Sequence, residues 1–433
     1  MARYSAPRGT QDLLPERIPL IDHVFWTCQE VIAGYGYLEI RPPLFEDTSL
    51  FHRSIGEVTD IVEKEMFTCQ RADTSVTFRP EGTASVVRAY LESNQHKTRP
   101  FRKFWYIGPM FRFERPQRGR ERQFYQVGIE AIGSHDPRLD AEVIHIGAQC
   151  YKALGLKGYR TCINTIGDHD DRERFREVVL KFVEPKLAEY CEDCRGRFGR
   201  NVFRVLDCKV RGCRELNRDA PVFLDHVSDT TRAHFDEVQQ SLNALGCDFE
   251  VDKRIVRGFD YYTHTVFEYR LSSLGARDAL GGGGRYNNLV EELDGPPTPA
   301  IGFSLGVTPM LLALEDAGLA AEHLGEPECP VFIVTIGDGV RLPALILAEE
   351  LRCAGLRVDL DYEGKSPKAQ MRSASKRLAR AVVVLGEDER AQGIVQVKCL
   401  TTGKQEALPM DSDLPGEIQR ILSTTPEAET TQP

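Results

Sequence analysis

No stretch of the chain approaches the roughly 18 uncharged apolar residues that a membrane-spanning helix needs, although 41% of its 433 residues are hydrophobic. The opening segment Met1 to Thr10 is polar and lacks the apolar centre of a secretion signal. A cytoplasmic protein with no membrane partner is the expectation. Positive charge is in deficit too: the net charge of −10 argues against a surface that coats itself with nucleic acid. No internal repeat is visible, which excludes solenoids and propellers.

What is present is enough apolar material for two or three cores, since a chain of this size exceeds what one core supports. Without a secretion signal, its 12 cysteines are expected as reduced thiols. Most are scattered and read as small buried apolar residues. Local charge departs from the average: Arg99, Arg102, Lys103, Arg112, Arg115, Arg118, Arg120 and Arg122 face only Glu114 and Glu121 within one short segment. A basic strip on an acidic body suits a specific polyanion.

Apolar residues recur at helical spacing from Ile18 to Tyr35, and the strand-like run Tyr37 to Ile40 stops at Pro42 and Pro43. Phe101 to Ile107 and Gln123 to Ile132 read as strands of a hairpin whose long connecting loop is basic, and long loops on a rigid sheet usually carry function. From residue 168 to 253 charge and helical periodicity rise, indicating a helical insertion. Strand-rich sequence resumes to Tyr269, followed by the glycine run Gly281 to Gly284. That run has neither the Lys-Ser/Thr ending of a P-loop nor dinucleotide-fingerprint spacing, so its glycines are expected to let backbone pass close to a ligand. After a linker, short apolar runs alternate with helices: Val331 to Ile336, Leu342 to Leu351, Leu356 to Leu360, Lys368 to Leu378 and Val382 to Leu385. This predicts an α/β domain over 329–422 and a disordered polar tail over 423–433.

Two segments concentrate chemistry, RPEGTASVVR (Arg79 to Arg88) and FRFERPQRGRERQFYQVGIEAIG (Phe111 to Gly133). Arg112 offers a planar fork suited to a phosphate, and Glu81, Gln126 and Glu130 offer acceptors for an ammonium group or an imidazole. An exposed hairpin with salt-bridged arginines is the plainer reading of any single residue. The string as a whole resembles motif 2 of class II aminoacyl-tRNA synthetases in its histidyl form. VRGFDYYTHTVFEY (Val256 to Tyr269) and LGGGGRYNNLVEEL (Leu280 to Leu293) resemble the histidine-binding segments of the histidyl-tRNA synthetase family. RGTQDLLP, LEIRPPLFE and KSPKAQMRSASKRLARAVVVLGEDE (Lys365 to Glu389) are similar to further strings of that family, in the same order.

The resemblance implies an α+β catalytic domain (an antiparallel sheet flanked by helices) from 1–167 and 254–318, a helical insertion over 168–253, and a C-terminal anticodon-binding domain. It implies a homodimer acting on L-histidine, ATP and tRNA(His), with Mg²⁺ bridging the phosphates. Glu81, Gly82, Thr83, Gln126, Glu130, Tyr261 and Tyr262 are implied to hold histidine. Arg112 and Arg257 are implied to be catalytic, meeting its carboxylate and the α-phosphate from opposite sides. Glu114, Arg122 and Phe124 join Arg112 around ATP, with Phe124 stacked on adenine. Arg115, Gln117 and Arg118 fall to the acceptor end of tRNA. The exposed stripe Lys368, Arg372 and Lys376, one helical turn apart, falls to the anticodon side, with Met371, Ala374 and Leu378 packed inward.

Two departures stand out. Motif 3 ends in Glu-Arg in class II synthetases, whereas GFSLGVTPM (Gly302 to Met310) carries Thr308 and Pro309 there, and Asn287 replaces a commoner Asp. The missing arginine opens a second reading, a non-catalytic regulatory subunit of ATP phosphoribosyltransferase. Such subunits lack the anticodon-binding domain and degrade the RG-DYY segment, and both are intact here. Separately, Cys191, Cys194, Cys208 and Cys213 stand at Cys-x2-Cys and Cys-x4-Cys spacing, close to that of a zinc ribbon. A structural Zn²⁺ and simple apolar packing are both open.

Overall fold

Along QFYQVGIEAI the side chains alternate as a strand of period two requires. Val127, Ile129 and Ala131 enter the largest apolar core, while Phe124, Gln126, Gly128 and Glu130 point to the other face. The large sheet is organised on that distinction. The structure is a computed structural model, which describes residues 4–56, 59, 61–199, 201–206, 208–255, 261–275, 278–325, 329–411 and 413–423. It divides into two compact units, 1–324 and 325–433.

The strands of the first unit, numbered along the chain, are β1 (Leu38–Glu39), β2 (Phe45–Asp47), β3 (Phe67–Arg71), β4 (Thr74–Phe78), β5 (Arg102–Phe111), β6 (Gln123–Ile132), β7 (Arg160–Thr165), β8 (Glu250–Val251), β9 (Thr263–Arg270), β10 (Ala279–Arg285) and β11 (Ala300–Gly306). Eight form one sheet in the order β1-β5-β6-β11-β10-β9-β7-β8, and β2-β4-β3 form a small separate one. Pairing in the large sheet is antiparallel except at its two margins, where β1 joins β5 and β8 joins β7 in parallel. Helices Ile18–Gly34, Pro137–Ala153, Asp229–Ala244 and Val307–Asp316 bury their apolar stripes on one face, giving the core of Val24, Ile129, Ile146, Val238, Phe303 and Leu314. The opposite face carries the polar row.

The hairpin of β5 and β6 matches the sequence expectation, with β5 extended to Phe111 and Arg112 one residue past its end. The span 168–253 is not a single inserted body. Helix Asp229–Ala244 sends Phe235, Val238 and Leu242 into the main core, and β8 completes the main sheet. A separate small core of Phe175, Val179, Val183, Val205 and Phe223 belongs to the part before residue 228. Apolar periodicity alone could not tell these apart, because a helix reads the same whichever core its stripe joins.

In the second unit β12 (Val331–Ile336), β13 (Val358–Leu360), β14 (Ala381–Gly386), β15 (Ile394–Cys399) and β16 (Gln405–Pro409) form a sheet in the order β13-β12-β14-β15-β16. The first three are mutually parallel and the last two antiparallel, with their own core around Val331, Ile333, Leu347 and Ile418. Helix Pro367–Lys376 ends earlier than expected: Leu378 takes a positive φ of 55° and is exposed, so Gln370 and Ala374, not Leu378, are the buried residues of this segment. Among the described residues no helix is long and apolar enough to cross a membrane.

Candidate active site

On the polar face a cavity of about 310 Å³ opens between β6, β10, β11 and the loop after β5. Its wall brings together Glu81, Thr83, Arg112, Phe124, Gln126, Tyr261 and Tyr262, residues far apart in sequence. Glu130 lies behind the wall, fully buried. Residues 256–260, Arg257 among them, lie outside the described residues.

Strand register explains the floor. Gly302 of β11 pairs with Glu130, Ser304 with Gly128, and Gly306 with Gln126, while β5 sets Tyr106 opposite Gly128. A Cβ on Gly128 would fall 2.2 Å from the Tyr106 ring, and one on Gly302 would fall 2.0 Å from the Glu130 carboxylate. Glycine at these two positions is therefore what admits the ring and the acid. The expectation for Gly281 to Gly284 needs amendment. Gly281 and Gly282 do line the cavity, but a Cβ on Gly283 would strike the backbone of Gly302 at 2.0 Å, so that glycine serves close strand packing.

Glu130 Oε1 accepts from Thr83 Oγ1 at 2.7 Å and from the Tyr106 hydroxyl at 3.3 Å, and Oε2 accepts from the Tyr286 hydroxyl. Burial nevertheless outweighs these donors and pushes its pKa up to about 8. Glu81 is tied differently: the backbone N–H groups of Thr83 and Ala84 donate to it at 2.6 and 2.8 Å, so its carboxylate caps the helix Thr83–Glu92. Burial raises its pKa as well, against those backbone donors. Gly82, the cap residue itself, is packed under the Tyr106 ring. The Gln126 side-chain carbonyl is buried with no hydrogen-bond partner among the described residues.

Arg112 is held by donation from Nε to the Pro80 carbonyl at 2.8 Å, and its guanidinium lies 5.3 Å from the centroid of Phe124. Desolvation pulls its pKa down, opposed by Glu65 and Glu81. Tyr261 packs on Tyr262 with centroids 4.7 Å apart and edge-on to Tyr286. Glu114 and Arg122 are not in the wall. Glu114 is buried in an ion pair with Arg120, and Arg122 donates to the Glu114 carbonyl and covers the Phe113 ring at 3.8 Å. Arg115, Gln117 and Arg118 are exposed on the loop, closed at its tip by the Gln117–Arg120 bridge with Gly119 at φ 77°. Thr308 and Pro309 reach the wall, and the Thr308 hydroxyl donates to Glu121 at 3.4 Å.

A family model described as histidyl-tRNA synthetase matches residues 9–310, and an anticodon binding domain model matches 330–420. The chain belongs to the histidyl-tRNA synthetase family. Histidine–tRNA ligases of Moorella thermoacetica and Desulforamulus reducens are similar to it at 47% and 44% identity, covering 94% and 93% of this chain and 96% of each relative. The apo histidyl-tRNA synthetase of S. aureus shares 36% identity with a TM-score of 0.80, over 97% of this chain and all of that one. Within this histidyl-tRNA synthetase fold several supporting residues escaped the sequence reading. Tyr106 and Tyr286, which orient Glu130, look like ordinary strand aromatics. Arg285 and Asp140 are both fully buried and paired at 2.6 Å, joined by Thr265 and His234 at 2.6 and 2.9 Å. Burial alone would raise the Asp140 carboxyl, but the Arg285 charge and His234 hold it below its ordinary value. The signal was available: Asp140 is an acid on the apolar face of Pro137–Ala153, whose neighbours Val143, Ile144 and Gly147 are buried.

Proposed function

We infer that the chain is a histidine–tRNA ligase, activating L-histidine with ATP and passing it to the 3′ end of tRNA(His) with release of AMP and diphosphate. One observation carries the reading: a single cavity joins buried acceptors suited to an amino group and an imidazole with a wall arginine beside an aromatic ring. The regulatory-subunit alternative is disfavoured by the C-terminal match to an anticodon-binding domain and by the ligase relatives.

In this reading Glu81 and Thr83 receive the α-amino group, while Gln126 and Glu130 select the imidazole under Tyr261 and Tyr262. Arg112 and Arg257 stabilise charge on the α-phosphate as the histidine carboxylate attacks and diphosphate leaves, an electrostatic role that needs no covalent nucleophile. Phe124 supports adenine. Glu114 and Arg122 would contribute to ATP only through movement of the loop that carries them, of the kind by which active-site loops close on substrate.

Mg²⁺ typically binds through substrate phosphates and one or two carboxylates, and the wall acids Glu121 and Glu268 are of that kind. When bound, it would offset phosphate charge. Acceptor-end contacts by Arg115, Gln117 and Arg118, anticodon-side contacts by Lys368, Arg372 and Lys376, a homodimer with the Pro42-Pro43 segment near its axis, and a cytoplasmic setting complete the proposal.

The test is ATP–pyrophosphate exchange with each standard amino acid. Histidine alone should drive it, and exchange with another amino acid, or with none, overturns the reading.

A further inference from the structure

Four cysteines that the catalytic reading leaves unused converge in the small module before residue 228. Cys191 precedes the helix Glu192–Phe198 and Cys194 lies in it, Cys208 follows the turn Phe203–Leu206, and Cys213 lies in the helix Arg211–Leu216. All four Sγ atoms are within 4.8 Å of one another. Cys191 and Cys208 are 3.8 Å apart, far beyond the ~2.05 Å of a disulfide. Tetrahedral zinc with Zn–S bonds of about 2.3 Å sets its sulfurs on edges of roughly 3.8 Å.

We propose that Cys191, Cys194, Cys208 and Cys213 form a structural zinc site. Three are buried and Cys191 is half-exposed, so the site is closed by protein yet reachable by the ion. The backbone N–H of Cys191 donates to Cys213 Sγ at 3.3 Å, the kind of support that holds a thiolate ligand in place.

Packing of thiols as small apolar groups explains burial but not four sulfurs at mutual ligand distance from three separate segments. The need is also physical. The module's own core is small, and modules of this size commonly rely on a metal or disulfide staple. Binding exchanges four S–H protons for four Zn–S bonds, with no electron transferred. Sulfurs this close enclose one ion and leave no room for a cluster. Between single ions, zinc binds more tightly than ferrous iron at such a site.

The experiment uses the full chain, purified under reducing conditions without chelator. Elemental analysis should find about one zinc per chain. Replacement by Co²⁺ should give the visible bands and thiolate charge-transfer absorption of tetrahedral cobalt. Cys208→Ser should lose the zinc and increase amide exchange across 168–227, while histidine-dependent pyrophosphate exchange stays within a few-fold of the parent. Zinc below a few tenths of a mole per chain, stoichiometric iron in its place, or full retention of zinc by the variant overturns the proposal. If the variant does not fold, the cobalt spectrum of the unsubstituted chain decides: a tetrahedral thiolate spectrum supports the site and its absence overturns it.

Discussion

Thr83, the first residue of its helix, donates its hydroxyl to Glu130 Oε1 at 2.7 Å across the floor of the cavity. The same residue's backbone N–H donates to Glu81. Two acids from different strings of the sequence are thus coupled through one threonine, and burial raises the pKa of both.

The raised pKa of Glu130, about 8, makes a pH prediction with a definite sign. Between the ordinary carboxyl value near 4.5 and about 8, the folded protein keeps a proton that the unfolded chain has released, so rising pH destabilises the fold across that window. Glu130→Gln removes this penalty. Thermal melts should show the variant gaining on the parent between about pH 5 and pH 8.5. Its KM for histidine should rise on the order of tenfold or more. Parallel melting curves at both pH values would show that Glu130 keeps an ordinary pKa.

For the phosphate side, Arg257→Ala should lower the activation rate by about 10²-fold or more with the circular dichroism spectrum unchanged. Arg112→Lys should fare little better than Arg112→Ala, because a point charge does not replace a planar fork. An Arg257→Ala rate near that of the parent assigns Arg257 to structure, and an Arg112→Lys rate near that of the parent shows that a point charge suffices at that position.

At motif 3 the Thr308 hydroxyl donates to Glu121, and Pro309 stands where the resemblance to class II synthetases implies an arginine. Thr308→Glu combined with Pro309→Arg should lower the KM for ATP by roughly tenfold, the value of about 1.4 kcal/mol for one charge-assisted bond. An unchanged KM would show that another residue already supplies the contact.

In the second unit Lys368, Arg372 and Lys376 are all exposed along one helix. Neutralising the three should weaken tRNA charging and flatten its dependence on salt, since each phosphate contact releases counterions. Histidine-dependent pyrophosphate exchange should survive. Charging with unchanged efficiency and salt slope removes this helix from the tRNA interface.

How much of this was legible in the sequence depends on whether the signal was local. The alternation in QFYQVGIEAI placed β6 residue for residue, and with it Gln126 and Glu130 on one face. The two-glycine accommodation of Tyr106 and the buried Arg285–Asp140 pair were not legible, because each depends on which strand lies opposite. Helix Asp229–Ala244 was assigned to the insertion for the same reason: its stripe was visible, its destination was not. Glu114 and Arg122 keep their place in the string, but the loop turns them onto Arg120 and Phe113.

On the proposed role of Gln126 in selecting the imidazole, its buried carbonyl, with no partner among the described residues, would bear on accuracy in translation. An amino acid that brings an N–H to it completes a hydrogen bond, whereas an apolar side chain of equal size leaves it unsatisfied and out of water. Sites of that design reject the wrong ligand by factors on the order of 10⁴ or more in a single binding step. On that reading, fidelity for histidine would be set at entry, with no second site needed to hydrolyse mistakes.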